Sequence, residues 1–215
     1  MRLSWKRKFV RTTHSQHARR IAPNLLQQDF DIKAPNRVWV ADITYIRTQC
    51  GCLYVATVPE LYSRQIVGWA MASRMRASFV YQALKMALIR RQSEAGLIIH
   101  TDRSSQYASE EYLALLSEYR VTASMSGGGN CDDDAVMERF FLNLKMECVW
   151  QTRYANHQEA NKDISHYIVS FYNHCRLHST LAYLSPNQFG MKKTDSKAIV
   201  NKPVNHALNV PIEVS

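Results

Sequence analysis

A chain of 215 residues is long enough for one good-sized core with at most a small appendage. Its 46% hydrophobic and 21% charged residues suit a globular protein, but a net charge of +9 is high and attracts polyanions. No apolar run approaches the roughly 18–20 residues of a membrane span, and the basic N-terminus lacks the apolar stretch of a secretory signal, so nucleic acid rather than membrane is the expected partner.

Seven of residues 1–20 are Lys or Arg and none is acidic, which reads as a basic arm able to lie along phosphates. Five cysteines without a framework spacing fit a reduced, cytoplasmic setting. The pairs His14/His17 and Cys50/Cys52 do not have the spacing of a zinc module, and His174 with His178 lacks a third ligand.

After Pro23 and Pro35 comes the first strong strand pattern, Val38 to Ile46, rich in β-branched and aromatic residues. Gly51 marks a turn, Leu53 to Val58 reads as a second strand and Ile66 to Ala72 as a third, an antiparallel meander. Helical spacing of apolar groups runs from Ala77 to Glu94, closed by Gly96. Leu97 to His100 is a short apolar strand. Ser109 caps a helix to about Tyr119, with Glu110 and Glu111 well placed in its first turn. Val121 to Met125 is the fifth strand. The glycine run Gly127–Gly129 then interrupts regular structure. Long helices are expected over about Asp133–Trp150 and His157–His174, and Ser185-Pro186 ends the compact part. The pattern predicts an α/β fold with a mixed sheet.

Three carboxylates stand out. Asp42 interrupts the first strand, where burial is costly unless it is paired or metal-bound, although an open, hydrated face would serve equally. Asp102 follows the fourth strand, and the ends of central parallel strands are where α/β proteins place their sites. Glu138 lies one turn into the helix after the glycine run, where the helix dipole alone is reason enough for an acid. Lys145 shares its face. Singly none is diagnostic. Together they suit phosphodiester chemistry, in which two hard divalent ions are held by carboxylates that would otherwise repel one another. Lys145 is then placed to hold a DNA phosphate.

The sequence resembles the retroviral-integrase-like core of bacterial insertion-sequence transposases, the second-reading-frame product of a two-frame element. The resemblance rests on Pro35–Ile46 with Asp42, Leu61–Trp69, His100–Tyr107 with Asp102, and Asn130. It continues through Ala135–Glu138, Phe140-Phe141, Leu144-Lys145 and Glu147, and ends with Phe171-Tyr172-Asn173, Arg176, His178 and Leu181–Pro186. Thirty-five residues separate Asp102 from Glu138, a separation typical of that family. It implies a ribonuclease-H-like fold with a five-stranded mixed sheet flanked by helices. It also implies Asp42, Asp102 and Glu138 as catalytic ligands of two Mg²⁺ or Mn²⁺ ions, nicking of element ends, and strand transfer into target DNA.

On this reading residues 1–21 are the trailing end of a helix-turn-helix region, 22–190 the core and 191–215 a polar tail. DNA contacts are expected from the arm, Lys145, Asn130, Arg139, Arg176 and His178, largely through phosphates. The expected assembly is a homodimer or larger on DNA, with a first-frame helix-turn-helix protein as a further partner. The alternative is a truncated, catalytically silent DNA-binding remnant. Departures from the family pattern are Glu60 for an aspartate, Ser104 for a glycine after the second aspartate, Gly127 and Gly128 where basic residues are common, and Asp132 and Asp134 near Glu138.

Overall fold

The computed structural model describes residues 21–27, 32–92, 95–126 and 135–192. The basic arm, the glycine run with Asn130, Asp132 and Asp134, and the tail beyond 192 lie outside these residues. Five strands form one sheet: β1 (Val38–Thr48), β2 (Gly51–Pro59), β3 (Ile66–Ala72), β4 (Ile98–Thr101) and β5 (Thr122–Met125). Their order is β3-β2-β1-β4-β5. The first three pair antiparallel, whereas β4 lies parallel to β1 and β5 parallel to β4. The expected mixed sheet is present, and β1 is its central strand.

Alternation along β1 sends residues to both faces, and each face has its own cover. Trp39 and Ala41 pack with α1 (Ala77–Arg91) and α2 (Glu110–Glu118) through Phe79, Ala83, Leu84, Ala87, Tyr112 and Leu115. Val38, Val40 and Ile46 pack on the other side with α3 (Ala135–Glu147) and α4 (His157–His166), through Met137, Phe140, Leu144 and Ile164. A sheet buried on both faces needs helices on both, and the chain supplies two per face.

Some helix ends differ from what the local signals predict. Helix α1 stops at Gln92, which adopts a left-handed conformation (φ 44°) and donates its N–H to Leu88 O. Gly96, with φ +98°, serves the turn into β4 instead. Ser109 does cap α2, accepting from Tyr112 N. The expected single helix over His157–His174 is α4 followed by a wider π-helical turn, Tyr167–Tyr172. Tyr167 and Tyr172, five residues apart, are both buried. An α-helix of 3.6 residues per turn would point them apart, and the wider turn lets both face inward.

The compact part also runs past Ser185-Pro186, to a last helix over 186–192. Pro186 opens this helix rather than ending a domain, because a first helical position needs no N–H. Ser185 Oγ accepts from Gln188 N (3.3 Å) and Gln188 Oε1 from Ser185 N (3.1 Å), a reciprocal cap. Phe189 then packs on Tyr62, ring centroids 5.2 Å apart.

Glu60 is a structural residue, 1% exposed. It accepts from Asn36 N (2.6 Å) and from the Ser63 hydroxyl, and it pairs with Arg91 at 3.0 Å. These contacts tie the start of β1 to the end of β2 and to the last turn of α1.

Gly68 sets the distance between β3 and α1. A Cβ there would lie 2.2 Å from Ala83 O and 2.9 Å from Ala87 N, both helix backbone. Gly68→Ala therefore forces the helix off the sheet, and we expect a loss of about 2–3 kcal/mol of unfolding free energy in urea titration. A loss below about 0.5 kcal/mol would show that the contact yields freely.

Candidate active site

The carboxyl end of β4 and the adjoining middle of β1 carry the candidate site. In the β1–β4 register Val40 pairs with His100 and Ala41 with Thr101. Asp42 and Asp102 each follow the last paired residue, which sets them at the same level on neighbouring strands, about 4.8 Å apart from backbone to backbone. Asp42 is half-buried, opposite Thr57 on β2, and its Oδ1 accepts from Ile43 N at 2.6 Å. It shares the Val40 face, the one covered by α3. Both expectations for Asp42 thus hold a part of the truth: the side chain is neither fully buried nor freely hydrated.

Asp102 sits in the turn after β4. Its Oδ1 accepts from Ser104 N (2.9 Å) and Ser104 Oγ (2.6 Å). Thr101 Oγ1 donates to Asp102 O, and Ser126 N donates to Thr101 O, so the turn is laced to the end of β5. Ser104, a departure from the family pattern, is 1% exposed and serves the aspartate directly.

Helix α3 brings Lys145 to this edge. Burial lowers the pKa of its ammonium from the ordinary lysine value, while the Asp42 carboxylate opposes that shift. Lys145 Nζ also lies 5.9 Å from the Tyr45 ring centre. Glu138 and Arg139 are exposed one turn into the same helix. Among the described residues no three His, Cys, Asp or Glu side chains stand close enough together to hold a metal ion. The structure therefore brings Asp42, Asp102 and Lys145 to one edge, with Glu138 one turn into the helix that bears Lys145. Asn130 lies outside the described residues.

Arg176 and His178 are engaged inside the protein. Arg176 Nε donates to both oxygens of Glu147 (2.9 and 3.0 Å), and Tyr167 OH donates to Glu147 Oε2 at 2.6 Å. The His178 ring meets Tyr172 edge-on at 5.1 Å. Asn173 bonds both backbone groups of Ile66, accepting from its N–H (2.9 Å) and donating to its carbonyl (3.0 Å). The C-terminal block is thus a brace between α3, the π-helical turn and the edge strand β3. Glu147 carries this brace, a role that residue-by-residue reading passed over; its i, i+7 relation to the buried Phe140 was the available signal.

A five-stranded mixed sheet of order β3-β2-β1-β4-β5, with helices on both faces, is the architecture of a ribonuclease-H-like integrase core. Residues 32–131 match the integrase core domain family, and residues 138–193 a second family of the same description. The fold is shared with the catalytic core domain of BIV integrase, at a TM-score of 0.58 and 17% identity over 76% of this chain and 99% of that one. The chain belongs to the insertion-sequence transposases. It is 45% identical to the uncharacterized 31 kDa protein of insertion element IS600 from Shigella sonnei over 192 residues, 89% of this chain and 71% of that protein. It is 41% identical to the transposase InsF for insertion sequence IS3A of Escherichia coli (strain K12), over 89% of this chain and 67% of that one. No helix among the described residues is long and apolar enough to cross a membrane.

Burial among Tyr172, Arg176 and Arg64 lowers the His178 pKa from 6.5 to about 4, desolvation contributing most, the two cations next, and Glu147 opposing. The imidazole is neutral at pH 7 and offers no charge to a phosphate. Because the unfolded chain takes up this proton first, the stability it contributes is lost as pH falls from about 6.5 toward 4. Between pH 7 and 5.5 we expect His178→Gln to remove up to about 1 kcal/mol of the acid-induced loss seen in urea unfolding, after allowing for partial exposure. Identical pH slopes in the two proteins would contradict this.

Proposed function

We propose that this chain is the catalytic core of a DNA transposase that nicks the ends of its element and joins them to target DNA. The observation that carries the reading is the placement of Asp42 and Asp102 at one level on adjacent parallel strands. Family membership supports it independently. Nicking adds water across a phosphodiester and leaves a 3′-hydroxyl. Strand transfer is a transesterification, in which that hydroxyl attacks a target phosphodiester and displaces an alcohol.

The donor set suits Mg²⁺ or Mn²⁺. Such ions are held by one or two carboxylates and fill their remaining positions with water and substrate phosphate oxygens. Asp42 and Asp102 would hold them, with Glu138 as the third proposed ligand. When bound, the ions neutralise charge on the phosphate and lower the pKa of a coordinated nucleophile.

The chain's own contributions are positional. The half-buried ammonium of Lys145 beside Asp42 is placed to receive a phosphate next to the reacting one. Arg139, exposed on the same turn as Glu138, extends that contact along the backbone. The basic N-terminal arm adds sequence-independent affinity. Joining two ends to one target requires at least two copies on DNA, and a first-frame helix-turn-helix protein is a fitting supplier of end recognition.

On plasmid DNA with Mn²⁺ or Mg²⁺, the purified chain should nick and transfer strands, and Asp42→Asn, Asp102→Asn and Glu138→Ala should each lose about 100-fold or more of that activity. Full activity in Glu138→Ala would remove it from the site. DNA binding without metal-dependent cleavage in every protein would support the silent remnant instead. A second expectation concerns binding alone: affinity should fall steeply between 50 and 200 mM salt, on the order of tenfold or more, and Lys145→Ala should flatten that slope. Salt-independent affinity would exclude phosphate contact as the main binding mode.

A further inference from the structure

Ser104 follows Asp102 by two residues and is almost completely buried, at 1% exposure. Its N–H (2.9 Å) and its hydroxyl (2.6 Å) both donate to the same oxygen, Asp102 Oδ1. Ser104 O in turn accepts from Tyr107 N at 3.1 Å, which fixes the serine in its turn. One carboxylate oxygen is thereby committed to the protein, and neither Ser104 bond uses Oδ2. The main-chain bond would survive any side chain at this position. The hydroxyl bond belongs to serine.

This asymmetry discriminates between cations. Ca²⁺ takes 6–8 oxygens and readily uses both oxygens of a carboxylate, whereas Mg²⁺ needs near-octahedral geometry at about 2.0–2.1 Å, which single-oxygen donors satisfy. Groups that hydrogen-bond a metal ligand fix its orientation and often change metal affinity by about 10–100-fold. We infer that Ser104 is a positioning residue that restricts Asp102 to one-oxygen coordination and so favours Mg²⁺ and Mn²⁺ over Ca²⁺. The inference rests on the reading of Asp102 as an ion ligand.

The test titrates the full chain with Mn²⁺, following free Mn²⁺ by electron paramagnetic resonance, and then displaces the bound ion with Ca²⁺. The proteins are the wild type, Ser104→Ala, Ser104→Gly and Asp102→Asn, each checked for its thermal unfolding transition. Ser104→Ala should bind Mn²⁺ about tenfold more weakly and shift the Ca²⁺-to-Mn²⁺ affinity ratio toward Ca²⁺. Ser104→Gly should shift the ratio the same way, and it is the decisive variant should the alanine protein not fold. An unchanged ratio in a folded variant, with Mn²⁺ binding still lost in Asp102→Asn, would overturn the role of Ser104 and leave the ion site standing. Mn²⁺ binding that ignores Asp102→Asn would overturn both.

Discussion

A carboxylate in the central strand of a sheet covered on both faces is the constraint around which this molecule is arranged. Strand β1 has neighbours on both edges and helices above and below. An ionised side chain there needs compensation, because an unpaired charge at such a position would cost several kcal/mol. Asp42 has it on three counts. Its level on β1 is where the parallel partner β4 ends, so that face opens toward solvent. Its own strand donates a backbone N–H. Lys145 reaches it from α3, at the cost of a partly buried ammonium. The same parallel register delivers Asp102 beside it, two like charges that together call for a cation.

Holding α3 over this edge falls to the C-terminal block. Glu147 at the end of α3 takes Tyr167 and Arg176, the π-helical turn buries Tyr172 against Phe140, and Asn173 closes onto Ile66 of β3. Phe140–Tyr172 rings meet nearly perpendicular at 4.8 Å, a favourable edge-on geometry. A chain segment 29 to 38 residues beyond Glu138 thereby fixes the helix that bears Glu138 and Lys145. The residues of that block serve the site through position: Arg176 bonds Glu147 and Asn173 bonds Ile66.

Much of this was legible in the sequence. The strands announced themselves because β-branched and aromatic runs such as Val38–Ile46 have few other uses, and β3 was read to the residue. The grouping of Asp42 with Asp102 was suggested by strand position and by the motifs of the family resemblance, since no local pattern encodes which strands will be neighbours. What was misread depended on partners distant in sequence. Arg176 and His178, expected as phosphate contacts, have Glu147 and Tyr172 beside them, which the sequence does not announce. Pro186 looks like a terminator until Ser185 and Gln188 are found capping one another. Ser104 stands in the sequence only as a departure from the family's glycine, yet its hydroxyl lands on the very carboxylate it follows.

Diffraction at the manganese edge from crystals grown in Mn²⁺ bears most directly on the central claim. An anomalous peak is expected between strands β1 and β4, about 2.1 Å from an oxygen of Asp42 and from Oδ2 of Asp102, with Ser104 still bonded to Oδ1. A peak elsewhere on the chain, with both aspartates turned to other protein groups, would contradict it.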